Sequence, residues 1–480
     1  MDGNANTVTL LNSAPLLDMS GNPVHAHGGH MLYTDGYYYW FGENRMDRRR
    51  VSCYRSVDLV NWEWRNDVLT LDSPVQPIYH RTTLELEPLD REGRQTGAVI
   101  ERPKVLYNKL TGRFVMWMHW ENGRDYSDAR CAIADCGTVD GDYVYRGSFN
   151  PIGNMSRDCT LFQDDDGTAY FISAARENAD LIMYRLSPDY LSIEEQVKTL
   201  WPGQAREAPA LMKRQGVYFL ISSACTGWLP NQGTYAWSEE LFGRWSPLLP
   251  LGDITTYDSQ PAFIVPIVGT DNDQCSYLYV GDRWDPADYY ASSYVFLPLS
   301  FPSDREMKLD REMKLDWAER TVIDLRKGIV AVECGSGSGL FRLKSLGMGL
   351  YLAAGNQSIE HEETLNVEVR TISYEDQQQR WTVEYGEKGR ARIRNNVKVL
   401  SIGPLNSLLL EPIRDNEDQF IWLLTETEAG SLTIGSNDGR VLTVAGEQHG
   451  GWGCVFLESK RCHDPRIGAD PQLFQLISVR

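Results

Sequence analysis

The first 300 residues repeat one pattern of apolar and polar positions. A short alternating apolar segment meets a turn with glycine and returns as an aromatic-rich segment. The pattern occupies residues 30–41 about Gly36, 104–117 about Gly112, 160–172 about Gly167 and 210–221 about Gly216. A looser fifth copy joins 262–266 to 276–280 through a longer turn at 269–273. Alternation on both sides of a glycine that tolerates positive φ predicts antiparallel hairpins. The turn glycines stand 76, 55 and 49 residues apart, which leaves room for roughly four short strands per unit. Outer-strand signals recur between copies, at 56–62, 141–145 and 242–245. The wide first interval holds an insertion at about 69–97, rich in Pro, Glu and Arg. Five copies predict a five-bladed β-propeller, its funnel lined by the first strand of every blade.

The texture changes near Ile329. Three phrases resemble one another, at 349–355, 399–403 and 440–446. Each is followed by Gln, a spacer and an apolar position: Gln379 with Trp381, Gln419 with Ile421, and Gln472 with Phe474. Three such units predict a β-trefoil. The fold expected is therefore all-β, with a five-bladed β-propeller over residues 1–328 followed by a β-trefoil domain over 329–480. Between them, the unit Arg-Glu-Met-Lys-Leu-Asp occurs twice within 304–316. It carries no assigned chemistry.

Composition narrows the function. Hydrophobic residues make up 42% of the 480-residue chain, enough for a substantial core. Against 47 Lys and Arg stand 66 Asp and Glu, a formal charge of −19. That sign repels phosphate backbones and anionic membranes, so neither nucleic acid nor a membrane is an expected partner. The stretch 1–17 has neither the positive start nor the apolar run of an export signal. The chain as given reads as cytoplasmic, or as secreted if a signal was removed. Its nine cysteines are scattered without a Cys-x-x-Cys, and read as free thiols.

Candidate chemistry lies where the blades begin. His27, Glu101, Asp158, Glu207 and Gln260 each stand just before or at the start of a repeat strand. In a propeller those points converge on one mouth of the funnel. Glycoside hydrolysis needs two carboxyl groups about the scissile bond, one donating a proton to the leaving oxygen and one handling a water. Acids on different blades can supply that arrangement. A negative charge beside Glu207 favours its protonated form.

Here a resemblance is specific. Glu101-Arg-Pro, Arg157-Asp158, Glu207-Ala-Pro and the Ser-Val-Asp-Leu-Val-Asn-Trp phrase at 56–62 look like glycoside hydrolase family 43, over about 15–325. The resemblance implies inversion at the anomeric carbon, with Glu207 as general acid and Asp158 tuning and orienting it. The family's usual base Asp is missing, since the matching stretch is His27-Gly28-Gly29. The subgroup acting on β-1,3-galactan lacks that Asp and has a glutamine that Gln260 matches, and a glutamate like Glu101. The chain thus resembles an exo-β-1,3-galactanase, acting on β-1,3-galactan or arabinogalactan oligosaccharides. Gln260 could position the water, with an imidic tautomer as proton route; Glu101 is the chemically simpler base, and both stay open. Competing expectations are a non-catalytic galactan-binding propeller and a family enzyme for arabinofuranosides or xylosides. Glu43 and His27 are further expected substrate contacts, and Trp120, Tyr126 and Trp228 are candidate sugar-stacking rings. No cofactor and no metal is expected; His25, His27 and His30 do not share a face, and the Asp-rich turn at 164–167 reads as solvated. The second domain resembles ricin-type lectin modules, carbohydrate-binding module family 13. Positions where those lectins carry a sugar-binding Asp hold Ala353, Ser401 and Thr443.

Overall fold

The computed structural model describes residues 7–12, 14–78, 97–286, 288–301, 311–333, 339–358, 364–373, 376–386, 389–412, 421–426, 431–447, 452–460 and 470–478. Most of the expected insertion, the first copy of the tandem hexapeptide, Gln419, Cys334 and Cys462 lie outside them. Among the described residues there is no α-helix, and no helix is long and apolar enough to cross a membrane. Seven cysteines fall within them and are free thiols.

The repeats form five four-stranded antiparallel sheets. Their innermost strands are His27–Thr34, Val99–Asn108, Cys159–Gln163, Arg206–Arg214 and Gln260–Val268. Each packs against the next, and the fifth returns to the first, closing a five-bladed propeller. Successive apolar residues of an inner strand enter the cores on opposite sides of its blade, as Val105 and Leu106 do in blade two and Leu161 and Phe162 in blade three. Trp62 and Trp245 mark equivalent outer corners: each is buried, and each indole N–H donates to a carbonyl a few residues upstream, Leu59 O at 3.0 Å and Leu241 O at 3.1 Å.

Among the described residues no strand of one terminus completes a blade begun by the other. An apolar core shared by blades one and five packs the seam between them, and polar contacts cross it. Asp282 accepts from the Gly28 N–H at 3.0 Å, and the Tyr294 hydroxyl both accepts from Ala26 N and donates to Val24 O. At the axis the fully buried Lys104 donates to Gly28 O at 2.9 Å, Gly29 O and Ala262 O at 2.8 Å. One ammonium from blade two thus joins the backbones of blades one and five. A three-stranded sheet flanks the ring, with Thr7–Leu11 beside Arg320–Asp324 and then Ile329–Glu333. The first strand past the expected boundary at 329 therefore pairs with the propeller side.

The second domain is one closed antiparallel sheet. Six strands pair in a ring: Gly339–Ser345, Trp381–Tyr385, Arg390–Asn395, Trp422–Glu426, Leu432–Gly435 and Phe474–Ser478, the last returning to the first. Three hairpins complete it, Tyr351–Ser358 with Leu365–Arg370, Lys398–Ile402 with Leu408–Pro412, and Arg440–Glu447 with Trp452–Ser459. The core of this ring corrects one sequence assignment. Trp381 donates its indole N–H to Leu352 O at 2.8 Å, and Trp422 does the same to Leu400 O at 3.0 Å. The second unit's aromatic is thus Trp422, one residue past Ile421, and the Gln-x-Trp spacing had stretched by one.

Replacing Lys104 by Met would leave three buried carbonyls without their donor. We expect a loss of about 3 kcal/mol or more, measured as a lower urea midpoint; an unchanged midpoint would exclude Lys104 as an axial tie.

Candidate active site

The residues at the blade mouths are aimed by a shared backbone device. In four of the five inner strands, one extra residue breaks the register with the second strand: between His27 and His30, Glu101 and Lys104, Glu207 and Ala210, and Pro261 and Phe263. In three of them the residue after the polar one is left-handed: Gly28 at φ 59°, Arg102 at 54° and Ala208 at 51°. Only glycine holds that conformation freely; a non-glycine residue costs about 1–2 kcal/mol there. Such bulges turn a side chain off the sheet and gather beside active sites. Asp158 lies immediately before its strand, with its carbonyl accepting from Ala174 N at 2.9 Å.

The register also selects a partner for each mouth residue on the adjacent strand. His27 faces Glu43, Glu101 faces His119, Glu207 faces Ser223 and Gln260 faces Asp282. All but Glu101 of these eight are largely or wholly buried. His119, Ser223 and Asp282 escaped the sequence reading as site residues. Counting back from each turn with one bulge allowed would have found them.

The structure brings Glu207, Asp158, Gln260 and Arg102 together. Gln260 Nε2 donates to Glu207 Oε1 at 3.0 Å and to Ser223 Oγ at 3.1 Å. Its carbonyl oxygen accepts from Arg102 Nη2 and from Trp284 Nε1, the latter at 2.9 Å. The same guanidinium lies 3.2 Å from Asp158 Oδ2 and donates to Pro261 O at 2.6 Å. Asp158 Oδ2 also accepts from the left-handed Ala208 N–H at 3.0 Å, which ties it to the residue after Glu207. Glu207 Oε2 accepts from Asn178 at 3.1 Å. Burial first, and then the Asp158 charge, push the Glu207 carboxyl up to about 8, with Arg102 opposing. At neutral pH it holds a proton.

Glu101 belongs to a second, adjoining group. Its Oε1 accepts from Arg45 at 2.6 Å and from the Tyr126 hydroxyl, and its Oε2 lies 3.0 Å from His119 Nδ1. Burial alone would raise its pKa, but the bond to His119 and the Arg45 charge win and hold it well below the usual carboxylate range. His119 sits between Glu101 and Glu121; against the cost of burial, those two carboxylates raise it to about 9. Glu43, 3.0 Å from Arg45 Nε, is pushed up by burial to about 7 although Arg45 opposes. Glu101, His119 and Asp158 present donor atoms within 4.8 Å of one another. Arg45, Arg102 and the protonated His119 already match these carboxylates with positive charge.

Aromatic rings form the rim. Trp228 stacks on Trp284 at 5.8 Å between centroids, Tyr289 adjoins both, and the Arg45 guanidinium lies 4.9 Å from the Tyr289 ring centre. A cleft reaches from Trp228 and Asn231 to Gln260, Asp282 and Trp284. His27 lies beneath that rim, fully buried, its Nδ1 3.1 Å from Asp282 Oδ1 and its ring stacked on Tyr294. Trp120 does not join the rim. It is 3% exposed and packs in the core between blades one and two, because its place on the second strand of blade two points it into that interface. Arg102, Arg45, Trp284, Tyr289 and Asn178 were not anticipated; they come from loops and bulges that no periodic pattern marks.

Residues 103–287 match the family model described as glycosyl hydrolases family 43. The crystal structure of an exo-β-1,3-galactanase from Clostridium thermocellum is 37% identical in sequence with a TM-score of 0.63, over 98% of this chain and all of that one (100%). The chain belongs to glycosyl hydrolase family 43. It is a glycoside hydrolase. A second family structure, an exo-β-1,3-galactanase from Phanerochaete chrysosporium with β-1,3-galactotriose, is 26% identical with a TM-score of 0.61, over 98% of this chain and 99% of that one. None of the curated proteins matches the chain. If Glu207 acts as the acid, the Asp158 charge beside it gives a signed prediction. Activity should fall as pH rises through about 8, where Glu207 loses its proton. Removing the Asp158 charge lowers that limit, so Asp158→Asn should move the basic limb of kcat/KM to lower pH by about one unit; an unmoved limb would reject the coupling.

Proposed function

We propose that this protein is an inverting exo-acting glycosidase that releases galactose from the non-reducing end of β-1,3-galactan, such as the backbone of arabinogalactan. The observation that carries the reading is the contact of Glu207, protonated at neutral pH, with Gln260, inside a mouth closed by charge-paired acids. Glu207 donates its proton to the departing glycosidic oxygen. Asp158 and Arg102 fix its orientation and its pKa.

Inverting enzymes need roughly 6.5–9.5 Å between the two groups so that the anomeric carbon and a water fit between them. Glu207 and Gln260 are in hydrogen-bond contact at 3.0 Å, so the reading requires that a bound sugar separate their side chains and take over the hydrogen bond between them. Glu101 is a weak proton acceptor because three donors stabilise its charge. We place Gln260 beside the water as its proton acceptor, in the imidic form whose nitrogen carries a lone pair. The water oxygen bonds to the anomeric carbon as the glycosidic bond breaks, and the water's proton passes to Gln260. Gln260 returns a proton to Glu207, 3.0 Å away, after the products leave. Glu101, with Arg45 and Tyr126, we assign to the sugar hydroxyls. Glu43 holds Arg45, and His27 supports the other side of the mouth through Asp282 and the Tyr294 ring. Trp228 with Trp284 offers the apolar face on which a galactose ring stacks.

We infer further that the hydrolase domain takes residues up to 333 and that the ring from 339 onward is a β-trefoil, a reading supported by six strands that close a barrel and three hairpins that cap it. We propose a packing role for it rather than the lectin role of carbohydrate-binding module family 13. Ala353, Ser401 and Thr443 are not only without carboxylates but buried, so no sugar hydroxyl reaches them.

Glu207→Gln should lower kcat on β-1,3-galactan by about 10²–10⁴ with the fold intact, and proton NMR of the wild-type reaction should show α-galactose first. Retained activity in the variant, or β-galactose as first product, would discard the assignment.

A further inference from the structure

The segment that delivers Gln260 is held in shape by the other domain. Thr256, Tyr257 and Asp258 have φ of 52°, 56° and 58°. Three successive non-glycine residues in the left-handed region do not persist unaided. Part of the support is local. Asp253 Oδ1 accepts from Tyr257 N at 2.6 Å and Thr255 N at 3.1 Å, and Arg283 donates to Tyr257 O at 3.0 Å. The remainder comes from the trefoil side. Lys344, on the strand Gly339–Ser345 and fully buried, places Nζ 2.8 Å from Asp253 Oδ2 and 3.0 Å from Asp258 Oδ1, and donates to Thr255 Oγ1. Tyr351 is the cross-strand partner of Lys344, and its hydroxyl donates to Asp258 Oδ2.

The same turn touches both sides of the mouth. Two residues beyond Asp258, Gln260 meets Glu207. Thr256 Oγ1 donates to Asn231 O at 2.9 Å and accepts from Gly233 N at 2.6 Å, anchoring the loop that carries Trp228. A buried ion pair is a poor way merely to glue two domains, since apolar packing of equal volume does as well or better. Here the charges sit on the strained turn itself.

We propose that Lys344 and Tyr351 are positioning residues for the reaction: the second domain locks the turn 253–258 and through it sets the place of Gln260 opposite Glu207. The inference rests on the reading of Gln260 and Glu207 as the groups about the anomeric carbon. It gives the second domain a part in turnover that needs no sugar of its own.

The test uses the full chain with β-1,3-galactan oligosaccharides, comparing wild type, Lys344→Met and Tyr351→Phe. A loosened Gln260 misplaces the water, so kcat for Lys344→Met should fall about tenfold to a hundredfold with KM within about twofold of wild type. Tyr351→Phe should show a smaller fall of the same kind. In both, the basic limb of the pH profile should move to higher pH, because the Gln260 N–H that stabilises the Glu207 carboxylate is less well held. Should Lys344→Met fail to fold, Tyr351→Phe, which loses one hydroxyl, decides alone. Wild-type kcat and an unmoved limb in Tyr351→Phe would overturn the proposal, as would a fall in kcat that merely tracks the fraction of folded protein. Wild-type enzyme that releases no galactose would count against the substrate reading instead.

Discussion

A hydrolase mouth that gathers acids on several blades must first solve a charge problem. Glu43, Glu101, Asp158, Glu207 and Asp282 converge within one largely buried region, and an unpaired carboxylate there would cost several kcal/mol. Arg102 carries most of the answer. One guanidinium reaches Asp158 on blade three and Gln260 and Pro261 on blade five, from a strand of blade two. Lys104, two residues on, ties blades one and five through backbone carbonyls. Arg45 and His119 do the same work for Glu101 and Glu43. These cations fix which acids stay charged. What remains, burial plus the Asp158 charge, raises Glu207 to about 8, above Glu43 at about 7, where Arg45 opposes the burial.

The price of that arrangement is visible in the backbone. Arg102 and Ala208 hold left-handed conformations in the middle of extended strands, and the turn before Gln260 holds three. Each bulge adds one residue to an inner strand and swings the polar residue before it toward the axis. The bulge recurs in four blades, so most of the mouth is built by repetition of one local distortion; blade three lacks it and presents Asp158 from just before its strand. The strain persists because the ring over-determines it: Asp158 accepts from Ala208 N, Arg283 and Asp253 hold Tyr257, and Lys344 reaches in from the second domain.

The two domains show how differently a repeat can be used. In the propeller the equivalent positions hold an imidazole, carboxyls and an amide, and they meet at one mouth. In the second domain Trp381, Trp422 and Phe474 all pack in one core, and the positions that would bear sugar-binding carboxylates are buried small residues. Its polar investment is at the interface instead, where a buried lysine and a tyrosine meet the aspartates of the neighbouring turn.

Much of this was legible in the chain alone. Period-two alternation about Gly36, Gly112, Gly167 and Gly216 determined the hairpins, because strand pairing is local and a tight turn demands particular residues. The recurrence of those hairpins determined the blade count, and Glu101, Asp158, Glu207 and Gln260 could be picked out because each stands at the same point of its repeat. What the sequence could not decide was anything set by one extra residue or by contact across the ring. A single bulge flips which face a side chain takes, so Arg102 turned to the axis, whereas Trp120, on an unbulged strand, follows Phe114, Met116 and Met118 into the core between blades one and two. Likewise Trp422 rather than Ile421 fills its core position after a one-residue stretch. The pairing of Arg102 with Asp158 and Gln260, and of Lys344 with Asp253 and Asp258, joins residues tens of positions apart. Only closure of the ring and docking of the second domain bring those charges close enough to bind one another.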